Sequence, residues 1–264
     1  MILTDKNISI ISTLTPPHFD ADAVSFITAA SITSTTQITA INNLVFNLKQ
    51  NNLWNKMTAI YPFVGGTANS HKYNLKDPRY VDAAYRIGFS GGGWTHTSGG
   101  IQGNGTSSYA NTFLNDNTVQ VFGNSHISIY SRTELSVNAC SIGVNVQQGV
   151  TDYSTSIYIR QSNNTVFYPN QSTFTSVTNT TSLGFFINSR INTTSTTINR
   201  NGTIIGTHGI NSFTKSSVNY YIGALNNPAL GTVGSAFSSR QYAFASIGSG
   251  LTDSEQSIFN TPFE

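Results

Sequence analysis

Three glutamates occur in 264 residues: Glu134, Glu255 and the C-terminal Glu264. Glycosidic hydrolysis needs two carboxyls flanking the sugar, one to protonate the leaving oxygen and one to attack or to activate water. Glu134 lies in SRTELSV with no acidic residue two or four positions away, and Glu255 reads as a helix cap. Asp116 and Asp152 sit in turn-like text, so an acid pair would have to be assembled from distant segments. The histidines His18, His71, His96, His126 and His208 are dispersed, without the His-x-His or His-x-x-x-His spacing of a metal site. Carboxylates are few, so a calcium site stays open but without support from the sequence. The single cysteine, Cys140, excludes an internal disulfide. It lies in VNACSIGVNV, which reads as a strand carrying a small buried thiol, with no neighbouring histidine to activate it. A Ser-His-Asp triad stays open because serine is so common, but no Gly-x-Ser-x-Gly elbow is present. The expectation is a protein that is not an enzyme and holds no metal or cofactor.

The most unusual stretch, Gly88 to Thr112, reads GFSGGGWTHTSGGIQGNGTSSYANT and contains eight glycines and no acidic or basic residue except His96. A phosphate cradle requires a strand, glycines and then a helix whose N-terminus faces the anion. Here a second strand-like run, Ser108–Phe113, follows instead, and the Lys-Ser/Thr pair is missing. Trp94, Ile101 and Tyr109 interrupt the glycines. The stretch therefore reads as a twisted hairpin and tight loop at the rim of a β-sandwich, where glycine allows positive φ and close strand approach. Trp94, His96, Asn104 and Tyr109 fall in or beside it. An aromatic ring to stack on a pyranose, with amides or hydroxyls to orient it, makes a carbohydrate site. The favoured reading of Trp94 and Tyr109 is nevertheless as core residues of the flanking strands.

Composition narrows the partners. Charged residues make up 9% of the chain and the formal net charge is +2, against about 25% charged residues in ordinary soluble domains. Twelve tyrosines and sixteen phenylalanines argue against charge-driven disorder. The densest basic group, Lys72, Lys76, Arg79 and Arg86, is interrupted by Asp77 and Asp82, so no stripe is available to neutralise a nucleic-acid backbone. No run of 18 apolar residues occurs, so no membrane insertion is expected. The start, MILTDKNISI, lacks the basic and apolar regions of a secretory signal.

The elements divide the chain into three parts. Residues 1–19 form an extended arm in which Ile8, Ile10 and Ile11 sit among polar residues and Pro16-Pro17 blocks a helix. It packs on its own domain or docks on a partner. Residues 20–79 form a helical leader. Asp20 is placed as an N-cap with Phe19 and Val24 spaced for a hydrophobic staple, and Ser34 with Gln37 makes a capping-box pattern. Ile38, Ile41, Leu44, Val45 and Leu48 then recur at helical spacing. Residues 80–264 carry short strand-like runs: Ala84–Phe89, Ser108–Phe113, His126–Arg132, Cys140–Val146, Ser156–Arg160, Val166–Tyr168, Leu183–Asn188, Val218–Ala224 and Gln241–Ile247. Asn201-Gly202 between two such runs predicts a type I′ hairpin. Thr252 and Glu255 predict a capping box opening a last helix.

Several of these segments carry a resemblance. GTSSYAN at Gly105, HISIYSR at His126, the Asn201-Gly202 hairpin and the closing RQYAFASIGSGLTDSE from Arg240 resemble successive parts of laminin-G-like, concanavalin A-like jelly rolls. The closing run, a final strand, a G-x-x-L-[ST]-x-x-E link and a short helix, is the most specific. The resemblance spans residues 80–264 and implies a mainly β fold: a concanavalin A-like antiparallel β-sandwich with a short N-terminal helical leader and a short C-terminal helix. The segment from DAVSFITAA through NLKDPR resembles the leader that precedes such jelly rolls in tailed-bacteriophage structural proteins. That likeness implies a virion protein of fibre, baseplate or capsid-associated type. It also implies other virion proteins as partners, homo-oligomerisation and attachment to host-surface carbohydrate. A glycan depolymerase using Glu134 and a bacterial lectin or adhesin are the alternatives on the same fold.

Overall fold

In the computed structural model, the described residues are 19–115, 117, 123–148, 151–171, 173–209, 211, 217–231 and 233–263. The expected arm therefore lies almost wholly outside them, as do His18 and Asp116. Two antiparallel sheets stack face to face. The first contains β1 (Met57–Tyr61), β3 (Thr95–Thr97), β4 (Gly100–Gln102), β6 (Ser125–Ser131), β11 (Gly184–Arg190), β12 (Thr196–Arg200), β13 (Thr203–His208) and β15 (Gln241–Gly248). It runs β13-β12-β11-β6-β15-β4-β3, with β1 beside the far end of β15. The second contains β2 (Gly88–Ser90), β5 (Tyr109–Asn111), β7 (Ile142–Gln148), β8 (Thr151–Gln161), β9 (Asn164–Gln171), β10 (Thr175–Thr178) and β14 (Tyr221–Ile222), ordered β10-β9-β8-β7-β14-β5-β2. The chain is mainly β, an antiparallel sandwich with short helices near its ends.

Alternation explains the core. Ile127 and Ile129 of β6, Phe186 of β11, Ile157 and Ile159 of β8 and Phe167 of β9 all point between the sheets. On β15 a register shift between Tyr242 and Phe244 changes the parity. Tyr242 enters the inter-sheet core, while Phe244 turns to the opposite face.

That opposite face of the first sheet is apolar too and is covered by helices. The helices α1 (Ala21–Ala29), α2 (Thr35–Gln50) and α3 (Asp253–Asn260) lay Phe26, Ile41, Leu44, Leu48 and Phe259 on Phe185, Ile187, Ile60 and Phe244 of the sheet. Asp20 Oδ1 caps α1 by accepting from the Asp22 N–H at 3.0 Å. Phe19 and Val24, spaced for a staple, both stay largely exposed. Ser34 caps α2, but the Gln37 amide oxygen accepts from the Gly65 N–H at 3.1 Å rather than returning to the cap. It thereby ties the helix to the loop that leaves β1. Thr252 and Glu255 complete the expected capping box of α3, and Lys56 pairs with Glu255 at 2.6 Å.

Two expectations need correction. The run Ala84–Phe89 is not one strand. Asp82–Ala84 is a 3-10 turn closed by Tyr85 at φ 58°, so only Gly88–Ser90 joins the sheet. The apolar run after Lys56 is a strand, not part of a helical leader: β1 pairs with β15. The hairpin at Asn201-Gly202 forms with both φ values positive, 49° and 78°. A second one, at Ser162-Asn163 (φ 49° and 63°), joins β8 to β9.

Candidate functional site

The glycine-rich stretch changes sheets twice. It leaves the second sheet after β2, forms the β3–β4 hairpin on the edge of the first, and returns as β5. The crossings are close enough to need glycine: a Cβ on Gly91, at φ +77°, would lie 1.8 Å from the Ser107 carbonyl oxygen. Within it the four candidate residues separate. Trp94 is half-buried, donates from Nε1 to the Ser90 carbonyl at 3.0 Å, and lies against Phe89 with centroids 5.1 Å apart. His96 points inward onto Phe89 and meets His71, Nδ1 to Nδ1, at 3.0 Å. Asn104 uses its Oδ1 to accept the N–H groups of Thr106, Ser107 and Ser108 within its own loop. Tyr109 flanks the inward Ala110 and so faces outward, stacked on Tyr221 at 4.6 Å. Trp94 and His96 share the inner edge. Asn104 closes a turn, and Tyr109 belongs to the outer face of the second sheet.

The remaining chemistry suggested by the sequence is largely committed to structure. The Glu134 carboxylate accepts from the Arg160 guanidinium, the Thr181 hydroxyl and the Ser182 N–H. The Thr181 hydrogen bond leads in holding its pKa below the ordinary carboxylate value, and Ser182 and Arg160 add to it. Glu134→Gln is expected to cost about 1 kcal/mol in denaturant unfolding, because the pair is partly solvated. It is also expected to leave any sugar binding intact. His126 does meet serines: Nε2 lies 3.0 Å from Ser246 Oγ, which is 2.6 Å from Ser128 Oγ. Its Nδ1 faces the Ser249 carbonyl rather than a carboxylate, and Phe259 covers it. This is a buried tie between β6, β15 and α3, and burial holds the imidazole at about 4. Cys140 is buried and its thiol pKa is pushed up by that burial.

Ile157, Ile159 and Phe167 point into the core, so Tyr158, Val166 and Tyr168 face out. The register Tyr158↔Val166 and Ser156↔Tyr168 makes the two tyrosines diagonal neighbours, with rings 6.2 Å apart. Thr175 pairs with Phe167, which sets Phe174 beside Tyr168 at 5.8 Å. A register shift between Tyr158 and Gln161 breaks the alternation and brings Gln161 to the same place. Asn138 arrives from the loop before β7. That loop is held against β8 by the Val137 N–H, which donates to the Arg160 carbonyl at 3.0 Å. The buried Arg240 clamps the same loop, its Nη2 donating to the carbonyls of Leu135 at 2.8 Å and Arg160 at 3.0 Å.

Asn138, Tyr158, Gln161, Val166, Tyr168 and Phe174 thus enclose a cavity of about 230 Å³. Phe174 is 55% exposed. Among the described residues, the Asn138 and Gln161 amides and the Tyr158 and Tyr168 phenols have no hydrogen-bond partner. Burial, with the nearby Cys140, raises the pKa of both tyrosines, so they stay protonated as neutral phenols. Chemically the cavity offers flat apolar walls and four uncommitted neutral hydrogen-bonding groups. Sequence reasoning missed it. The signal was the period-two run YIRQ…TVFY flanking Ser162-Asn163, which puts two tyrosines on one face.

No protein-family model matches the chain, and no curated protein matches it in sequence. Solved structures do match. A mutant of Trypanosoma rangeli sialidase displaying trans-sialidase activity aligns with 86% of this chain and 39% of its own, at 8% identity and a TM-score of 0.52. A botulinum neurotoxin type C structure aligns with 81% of this chain and 53% of its own, at 14% identity and a TM-score of 0.53. The Trypanosoma rangeli sialidase bound to the inhibitor DANA gives 86%, 39%, 9% and 0.51. The chain spans about two fifths to one half of these proteins. At such identities the likeness shows the fold, a β-sandwich of jelly-roll type.

Proposed function

We propose that the chain is a non-enzymatic glycan-binding β-sandwich module whose sugar site is the Tyr158–Tyr168–Phe174 cavity. The observation that carries this reading is the meeting of the exposed Phe174 ring and the half-buried Tyr158 and Tyr168 rings with four neutral polar groups that have no partner among the described residues, on the outer face of the second sheet. Aromatic rings take the apolar face of a pyranose, while amides and phenols fix its hydroxyls. The cavity is smaller than the ~300–1,000 Å³ of drug-sized sites, which suits one sugar ring. Two proteins of similar fold support the reading. One displays trans-sialidase activity, and the cell entry of the other depends on interaction with two ganglioside molecules. The commitment of the Glu134 carboxylate to Arg160, Thr181 and Ser182 favours binding over a depolymerase.

The resemblance of residues 20–79 to phage leaders supplies the proposed setting: a virion component, homo-oligomeric, joined to other virion proteins and touching host-surface glycans. Mass spectrometry of purified particles tests that setting, and absence of the chain from them would remove it.

Glycan-array binding followed by calorimetry tests the site. Tyr168→Ala is expected to weaken sugar binding at least tenfold, with the fold retained by circular dichroism. Loss on Trp94→Ala, with Tyr168→Ala silent, would move the site to the glycine-rich edge.

A further inference from the structure

We infer that the cavity selects an uncharged pyranoside bearing an acetamido group, and discriminates against acidic sugars. This rests on the glycan-binding reading and adds the substrate class. From residue 135 to residue 189 the only acidic or basic side chains are Asp152 and Arg160. That stretch supplies β7 to β10 and every residue lining the cavity. Asp152 lies at the opposite end of β8 from Tyr158 and Gln161. Arg160 is committed: Nη1 donates to Glu134, and Nε and Nη2 donate to Asn163 Oδ1 at 3.3 and 2.7 Å. The buried Arg240 is turned to the carbonyls of Leu135 and Arg160, behind the rim loop.

A carboxylate or sulfate entering the cavity would lose water and meet no cation among the described residues that line it, since the Arg240 Nε and Nη1, which lack hydrogen-bond partners, are fully buried away from it, which is unfavourable. A neutral acetamido group matches what the cavity holds. Its N–H and C=O are complementary to a primary amide, which carries two donors and an acceptor, and Asn138 and Gln161 each present one without a described partner. Its methyl group finds Val166 and Phe174. Leaving such an amide unpaired against a plain hexose forfeits hydrogen bonds that the acetamido sugar makes.

The test uses the full chain and calorimetry at low and high salt. The probes are methyl glycosides of glucose and galactose, of their N-acetylamino counterparts, and of glucuronic and N-acetylneuraminic acids. At least one acetamido sugar is expected to bind fivefold or more tighter than its parent hexose, with affinity unchanged by salt and the acids no tighter than the hexoses. Asn138→Ala/Gln161→Ala is expected to reduce that preference below twofold, because both sugars lose hydroxyl contacts but only the acetamido sugar loses its amide partners. Equal affinity for hexose and acetamido sugar, or a salt-sensitive preference for an acid, would overturn the inference and leave the glycan reading standing. A folded chain that binds none of the probes would overturn both.

Discussion

Acidification from pH 6.5 to pH 4 is expected to remove about 3 kcal/mol of folding stability for each of two buried histidines. His71 and His126 are almost fully buried, and burial holds each imidazole at about 4, against 6.5 for an ordinary histidine. His96, beside His71, lowers it further, and is itself lowered by burial and by Lys72. Around His126, Lys56 lowers the value while the Ser249 carbonyl and Glu255 raise it. As pH falls through 6.5 the unfolded chain takes up protons that the folded chain refuses. Stability is therefore complete above about 6.5 and declines until the folded rings titrate near 4. Glu134 and Glu255 have lowered values, so their contribution is lost only from about 4.5 downward. Domains of this kind hold roughly 5–15 kcal/mol in total, so the loss is a large share. Urea midpoints measured across pH 7 to 4 check it. His71→Phe is expected to flatten the slope of stability against pH even where it lowers stability overall. An unchanged slope would contradict the assignment.

Phe185→Ala is expected to cost about 3–5 kcal/mol, the range for removing a buried aromatic ring. Phe185 is fully buried on the helix side of the first sheet. Its ring centroid lies 4.5 Å from Phe263, 5.2 Å from Phe259, 5.7 Å from Phe244 and 6.4 Å from Tyr130. The ring joins the sheet to α3 and the C-terminal turn, and the same cluster contains Phe26 and Leu48 of the N-terminal helices. Helices and sandwich should therefore unfold together. Far-ultraviolet circular dichroism and tryptophan fluorescence should give coincident transitions in both wild type and variant. Fluorescence reports from Trp54, next to α2, and from Trp94, at the sandwich edge. A helical transition well below that of the sheets would contradict a shared core.

How much was legible from sequence depended on whether a feature was local. Asn201-Gly202 and the Thr252–Glu255 capping box are written in adjacent residues, and both form as read. Strand alternation identified most sheet members because β-branched and ring side chains mark the buried parity. The cavity was not legible for the opposite reason. Its residues come from the rim loop, β8, β9 and the lead into β10, and the register shift between Tyr158 and Gln161 intervenes. Ser162-Asn163 also turns with both φ values positive and without a glycine to mark it. The glycine-rich stretch drew attention because tight crossings need glycine. Gly100, at φ +126°, would place a Cβ 2.0 Å from the Tyr242 carbonyl oxygen. At Gly100 that requirement comes from close pairing of β4 with β15, and the aromatic residues of the stretch fill the sandwich edge.

The most direct measurement is a map of backbone amide shifts in isotopically labelled chain during titration with a methyl glycoside that it binds. The account predicts that the perturbed amides cluster at Asn138, Tyr158, Gln161, Val166, Tyr168 and Phe174. Perturbations centred on Gly91–Tyr109 would contradict it.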